Sequence, residues 1–425
     1  MHTEANSTAT NSTETNWAGN HRYVAERYAE PHSVEELAEL IAGARSVRML
    51  GSRHSFNDIA DSDELLIGTA ALPQPIEIDP DARSVTVGGG VRYGELAQVL
   101  QRAGWALHNL ASLPHISIAG AVATATHGSG DGNGNLATAV RGIRLVTGTG
   151  DLVDLRRGQD GFDGAVVSLG ALGAVVELEL DIEPTFDVRQ RLFPAVAWDA
   201  ATARFDDVFS AAYSVSLFTT WDEASVSLAW IKERVDAPAR IGDDFFGAAA
   251  ATTPLHMIDG MDVRNVTEQL GVAGPWSERL AHFRYGFTPS AGAEIQSEYL
   301  VPRARASEAI EALRASGPRL RGILQISEIR TVAADALWMS TAEGGDVVGL
   351  HFTWVRDPAA VETALAEIEA VLLPLGARPH WGKVYLDVDG VVPDRYRRRD
   401  DFRALAERFD PEQRFRNAFV RRVIG

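Results

Sequence analysis

Glu328 and Arg330 stand two apart in the run ILQISEIR, and His351 and Thr353 stand two apart in LHFTW. Residues two apart on a β-strand leave the same face, so each run predicts a polar pair on one face of an otherwise apolar strand. Lys383, in HWGKVYL, adds a cation to this set. Donors and acceptors converging on an apolar wall suit a small molecule with several adjacent hydroxyls, a polyol above all.

Two glycine-rich loops offer a second kind of chemistry. GSRHSFND, Gly51 to Asp58, follows the strand-like run RSVRML. A tight turn there aims successive backbone N–H groups into one concavity, suited to a phosphate or pyrophosphate. SLPHISIAGAVATATHGSGDGNGN runs from Ser112 to Asn135, and its small residues from Ile118 to Gly130 leave backbone open to a flat or extended ligand. GSGDGNGN has neither a strand directly before it nor a helix opening on it. It is therefore no dinucleotide fingerprint, and a nicotinamide cofactor is not expected.

The elements that must carry these residues form a mixed pattern. Ser33 and Glu36 make a capping box ahead of a helix with Val34, Leu37, Leu40 and Ile41 on one face. RSVRML and SVTVGGG read as strands, YGELAQVLQRAG as a helix, GIRLVTGTGDLVDL as a hairpin and GALGAVVELELDIEP as a long strand. The middle third turns to aromatic strands (VSLFTTWDE, ASVSLAWIK, VVGLHFTWV), with helices at 303–316 and 359–373. A charged helix–loop pattern, DFRALAERFDPEQRF, lies near the end. Boundaries fall near Asp187 and Pro379, and residues 1–15, rich in Ser, Thr and Asn, read as an unstructured tail.

Composition narrows the partners. With 40 Lys and Arg against 58 Asp and Glu, the net charge is −18, which disfavours nucleic acid and anionic membranes. The chain has no cysteine, which excludes disulfides, thiolate metal sites and a cysteine nucleophile; no metal site is expected. No stretch reaches the ~18 apolar residues of a membrane helix, so the expectation is a soluble, cytoplasmic protein, and a monomer.

GSRHSFND, SLPHISIAGAVATATHGSG, SEIRTVAADALWMS, HFTW and HWGK, in that order, resemble the FAD-dependent alditol oxidases of the vanillyl-alcohol-oxidase superfamily, close to the aldonolactone oxidases. The resemblance runs from about Asn16 to the C-terminus. It implies an α+β, two-domain flavoprotein: an FAD-binding domain over 16–187, a cap or substrate domain over 188–380, and a return to the FAD-binding domain over 381–425. It makes His54 the residue bound covalently to the 8α carbon of FAD, through a single link because no cysteine is available for a second. It places Gly51, Ser52, Arg53, Ser55, Phe56 and Asn57 at the pyrophosphate. Along the second loop it places Ser112, Ser117, Gly120, Thr124, Ala125, Thr126 and His127 against the cofactor, and beyond it Val175.

The resemblance further implies substrate contacts at Ser112, Glu328, Arg330, Thr353 and Lys383, with His351 beside them. In the reaction so implied, a terminal primary alcohol gives up its proton and passes hydride to flavin N5, O2 is reduced to H2O2, and an alditol such as xylitol or sorbitol becomes the aldose. Lys383 and Arg330 would stabilise the developing negative charge. Glu328 would hold the neighbouring hydroxyl, and His351 would accept the proton. Ala111 leaves a path for O2. The alternatives are an aldonolactone oxidase or dehydrogenase, which HFTW and the cap must separate, and a non-catalytic sugar-binding flavoprotein, which the intact Glu328, Arg330 and Lys383 disfavour.

Overall fold

A computed structural model describes residues 15–221, 223–287 and 294–425. Most of the tail expected over 1–15 lies outside the described residues; Thr15 itself pairs with Arg22 in an antiparallel bridge.

Three parallel strands open the fold: β1 (Arg27–Ala29), β2 (Val47–Leu50) and β3 (Leu65–Gly68), in the order β1-β3-β2. Helix α1 (Val34–Gly43) buries Leu37 and Ile41 against Val47, Leu65 and Ile67. Its cap is a variant of the expected box. Ser33 Oγ accepts from the Glu36 N–H at 3.2 Å, but the Glu36 carboxylate takes the N–H of His32, at 2.8 Å, instead of that of Ser33.

An antiparallel sheet follows: β4 (Ile76–Asp79), β5 (Ser84–Gly88), β6 (Val140–Val146), β7 (Leu152–Arg156) and β8 (Ala174–Asp181), in the order β4-β5-β8-β6-β7. The expected hairpin is β6–β7. In β8, Ala174, Val176, Leu178 and Leu180 are buried and the residues between them half-buried, the alternation of a sheet with one face on the core.

The third sheet, antiparallel throughout, occupies the chain from Asp187 to Pro379. Its long strands are β9 (Asp187–Val196), β10 (Ser214–Thr219), β11 (Val226–Arg234), β12 (Glu294–Pro302), β13 (Leu324–Val332) and β14 (Val347–Val355). They run in the order β9-β11-β10-β13-β14-β12, with Gly274–Pro275 and Arg378–Pro379 at the edges. Helices Ala306–Leu320 and Pro358–Leu372 cover one face, packing Leu313 and Leu365 against Tyr299, Ile329, Leu350 and Phe352. The first of these helices begins later than the sequence suggested, because Arg303–Arg305 form a 3-10 turn.

Period two then decides the other face. With Ile329, Leu350 and Tyr299 turned to the helices, Glu328, Arg330, His351, Thr353 and Glu298 must point the opposite way. Register aligns them, since His351 lies between Glu298 on β12 and Glu328 on β13.

After Pro379 the chain returns to the first body. Helices Arg399–Phe409 and Ala418–Ile424 bury Phe402, Phe419 and Val420 with Ile143 and Leu180. Asn417 Nδ2 donates to the carbonyls of Asp58, Ile59 and Asp61. The buried Arg48 guanidinium donates to the carbonyls of Leu169, Gly170 and Phe415, fixing the backbone behind the first glycine loop.

Candidate active site

A cavity of about 450 Å3 separates the polar face of β12, β13 and β14 from the two glycine loops. Its walls include Gly51, Ser52, Arg53, His54, Ser55 and Phe56 from the first loop, and Ala111, Ser112, Ser117, Gly120, Thr124, Thr126 and His127 from the second. Val175, Glu328, Arg330, His351, Thr353 and Lys383 also line it.

Asn57 and Ala125 are not among the lining residues. Asn57 Nδ2 donates to the carbonyls of Trp381 (2.9 Å) and Lys383 (2.8 Å), and the Phe56 N–H donates to Gly382 O at 2.8 Å. Asn57 thus ties the first loop to HWGK. Ala125 is fully buried at φ 52°, in the turn that follows the short helix Ile118–Ala123.

The loops approach so closely that side chains would not fit. A Cβ on Gly51 would stand 2.4 Å from Ser117 Oγ, and the Ser117 N–H donates to Ser52 Oγ at 3.0 Å. Arg53 takes φ 62°, and its carbonyl accepts from Trp17 N–H at 2.8 Å. The Trp17 indole stacks on His54, centroids 5.3 Å apart and planes 23° off parallel. Both ring nitrogens of His54 are buried without a hydrogen-bond partner. Burial, helped by His115 and the Arg92 and Arg53 charges, outweighs the opposing pull of the Ser52 backbone and pushes the imidazole pKa down to about 4. At neutral pH His54 is therefore an uncharged ring with a free lone pair at the cavity wall, the state in which an imidazole is a nucleophile.

Opposite lies a buried charge cluster centred on Glu298, a residue the sequence reading did not single out. Glu298 Oε1 accepts from Arg330 at 2.7 Å, Oε2 accepts from Lys383 Nζ at 2.7 Å, and His127 Nε2 stands 3.3 Å from Oε1. Burial by itself would raise the Glu298 pKa, but Arg330, Lys383 and His127 outweigh it and hold the carboxylate well below the usual range. Glu328 behaves alike: Arg330 and the hydrogen bond from His282 overcome its burial and keep it ionised. Two carboxylates thus balance two cations in a buried site. Gly349 makes room for this, since a Cβ there would stand 3.0 Å from Glu298 Oε1. The signal was present in EIQSEYLV, where Gln296 and Glu298 repeat the two-apart spacing of the pairs on β13 and β14.

Arg330 also donates to Ser112 Oγ at 3.1 Å, joining the cluster to the second loop. His351 is held well below its ordinary pKa by burial and by the Lys383 charge, so it is neutral. Gln296 donates its amide to Glu294 at 2.6 Å, which leaves its Oε1 to accept from His351 Nε2 at 3.2 Å. The proton of His351 therefore sits on Nε2, with the lone pair on Nδ1. Among the described residues, no group of His, Asp and Glu is placed to hold a metal, and no helix is long and apolar enough to cross a membrane.

Residues 25–156 match the family model described as FAD binding domain, and residues 292–423 match that of D-arabinono-1,4-lactone oxidase. The chain is 48% identical to the alditol oxidase of a Streptomyces species, over 96% of this chain and 98% of that one. It is 29% identical to the L-gulono-1,4-lactone dehydrogenase of Mycobacterium tuberculosis, over 96% and 98%. Cholesterol oxidase from Brevibacterium sterolicum shares the fold, with a TM-score of 0.76 and 97% of each chain covered at 15% identity. The two-domain α+β architecture, the FAD-binding domain and the identity over nearly the whole chain agree: this chain belongs to the alditol oxidases, FAD-dependent enzymes of the vanillyl-alcohol-oxidase superfamily.

Proposed function

We propose that the enzyme oxidises the terminal primary alcohol of alditols to the aldose, with O2 as the final acceptor and H2O2 released. The observation that carries this reading is the Glu298–Arg330–Lys383 cluster with Glu328 beside it, drawn from β12, β13 and the loop after Pro379 and lining one cavity with His54. A polyol offers several hydroxyls that both donate and accept, and this wall presents fixed acceptors and fixed donors together.

The cavity suits FAD. Orphaned nitrogens on His54, close-packed glycines at 51 and 120, and a run of small residues give a flat, extended group backbone to lie against. Gly51 to Phe56, Ser117, Gly120, Thr124, Thr126 and Val175 would hold it, in a domain built from residues 16–187 and 381–425, with 188–380 as the cap. FAD, when bound, supplies the hydride acceptor.

This chain's residues do the rest. Arg330 and Lys383 stabilise negative charge developing on the alcohol oxygen, and both are preorganised by Glu298. Glu328 accepts from the adjacent hydroxyl and holds the reacting carbon in place. Thr353 and Ser112 add hydroxyl contacts, and His351, neutral with a free Nδ1, takes the proton. Ala111, buried with a small side chain at the cavity wall, leaves access for O2.

The match of residues 292–423 to D-arabinono-1,4-lactone oxidase favours a second reading, oxidation of an aldonolactone. Peroxide release separates the two. Purified enzyme should form H2O2 faster with xylitol or sorbitol than with L-gulono-1,4-lactone, and the reverse order would overturn the alditol reading.

The neutral, unpartnered His54 also supports a single covalent link to the flavin. Acid-precipitated wild-type protein should give a yellow, fluorescent pellet, and His54→Ala a colourless one. A colourless wild-type pellet would refute the link.

A further inference from the structure

Behind Glu328 lies a further buried basic side chain that the reaction as described does not use. Lys232 on β11 is 1% exposed. Its Nζ donates to Leu280 O at 2.6 Å and Ala281 O at 2.9 Å, and stands 3.5 Å from His282 Nδ1. Glu328 is ionised and can only accept, so the ring proton of His282 sits on Nε2 and Nδ1 is left to accept from Lys232. That proton is donated to Glu328 Oε1 at 2.8 Å. Trp230 and Phe218 pack edge-on against the imidazole, with centroids 5.1 and 5.8 Å away, and fix its plane.

The same short segment holds the other side of the pocket. The His282 and Phe283 N–H groups donate to Ser112 O at 3.0 and 3.1 Å, and Ser112 Oγ accepts from Arg330. Lys232 therefore anchors, through Leu280 and Ala281, a segment whose side chain orients Glu328 and whose backbone orients Ser112. Burial pushes the Lys232 ammonium down to about 7, with the Glu328 charge opposing that shift and Arg279 adding to it. If filling space were its only task, an apolar side chain would be the less costly occupant.

We propose that Lys232 and His282 are positioning residues that set the hydrogen bonding and orientation of Glu328, and with it the enzyme's discrimination between substrates. The proposal rests on the alditol reading for the identity of the substrate, and on the geometry alone for the coupling to Glu328.

A double-mutant cycle tests it on the full-length, flavin-loaded enzyme. Wild type, Lys232→Met, Glu328→Gln and the double variant are compared in kcat and KM on xylitol, or on L-gulono-1,4-lactone if that is what wild type oxidises. Failure of the alditol reading then changes the substrate and leaves the cycle intact. Lys232→Met should lower kcat/KM about tenfold in the wild-type background, mainly through KM, and should cost markedly less in the Glu328→Gln background, where only the Ser112 contact remains to be disturbed. An equal loss in both backgrounds would mark Lys232 as merely structural and overturn the proposal, as would no loss in either. His282→Phe runs as a parallel cycle if Lys232→Met fails to fold, because it leaves Lys232 on its carbonyls and suits the aromatic neighbours. The same pattern of loss and rescue is expected, and additivity again refutes the proposal.

Discussion

Glu298→Gln should lower kcat/KM on the preferred substrate about a hundredfold and destabilise the fold, although Glu298 need not touch the substrate. The substitution keeps the shape and removes one negative charge, leaving Glu328 alone against Arg330 and Lys383, one positive charge in excess in a buried cluster. Removing one partner of a buried pair typically costs ~3–5 kcal/mol. The two cations would also lose the carboxylate that aims them, and a misaimed charge stabilises the transition state poorly.

The sign with pH follows from the same contacts. Because the Glu298 pKa is held well below its ordinary value near 4.5, its contribution to stability is full above that value and drains away as pH falls below it. Wild type should therefore lose more stability on acidification than Glu298→Gln does. Adding Lys383→Met to Glu298→Gln restores the charge balance and should recover part of the lost stability while activity stays low. Steady-state kinetics with denaturant unfolding at two pH values would decide, and a Glu298→Gln enzyme of normal kcat/KM and stability would show the cluster to be idle.

Glu298 also marks how far the sequence could be read. The pairs Glu328/Arg330 and His351/Thr353 were legible because each sits in a run where period two is the only regularity, and the structure puts them on one face of adjacent strands. EIQSEYLV carries the same period, but nothing local distinguishes a polar residue facing a cavity from one facing solvent. Only the register of β12 against β14, which joins residues more than fifty positions apart, brings Glu298 beside His351. Lys232 and His282 lay out of reach for the same reason: a lysine in an aromatic strand reads as an exposed residue until the segment at 280–283 is seen to cover it.

The loops show the converse. Gly51 could be read as part of a tight turn, and Ser117 from the family resemblance, yet Asn57, near the end of the same motif as Gly51, bonds the carbonyls of Trp381 and Lys383 across the fold. A motif keeps residues that hold it together as well as residues that meet the ligand, and the linear sequence does not separate them. The helical boundary at 303 failed on a smaller point: a 3-10 turn and the first turn of an α-helix draw on the same residues.

Glu328→Gln should act on substrate choice more than on chemistry, and by a large factor. Glu328 is ionised, its Oε1 is occupied by His282, and its Oε2 lies 3.6 Å from Arg330 Nε, at the cavity wall. An open-chain alditol brings a donor hydroxyl next to the reacting carbon, and a carboxylate accepts from it strongly. A lactone presents a carbonyl acceptor where the alditol has a donor, and gains little from the same group. A hydrogen bond to a charged partner contributes ~1.5–3 kcal/mol, so the substitution should cost roughly ten- to a hundredfold in kcat/KM on four- to six-carbon alditols. Short diols should lose less, simple alcohols less again, and lactones least. In wild type the same ranking should hold for kcat/KM itself, from alditols down to lactones. Kinetics across these four classes on both proteins would test the assignment, and a uniform loss on every class would remove Glu328 from substrate recognition and leave it a role in holding the charge cluster together.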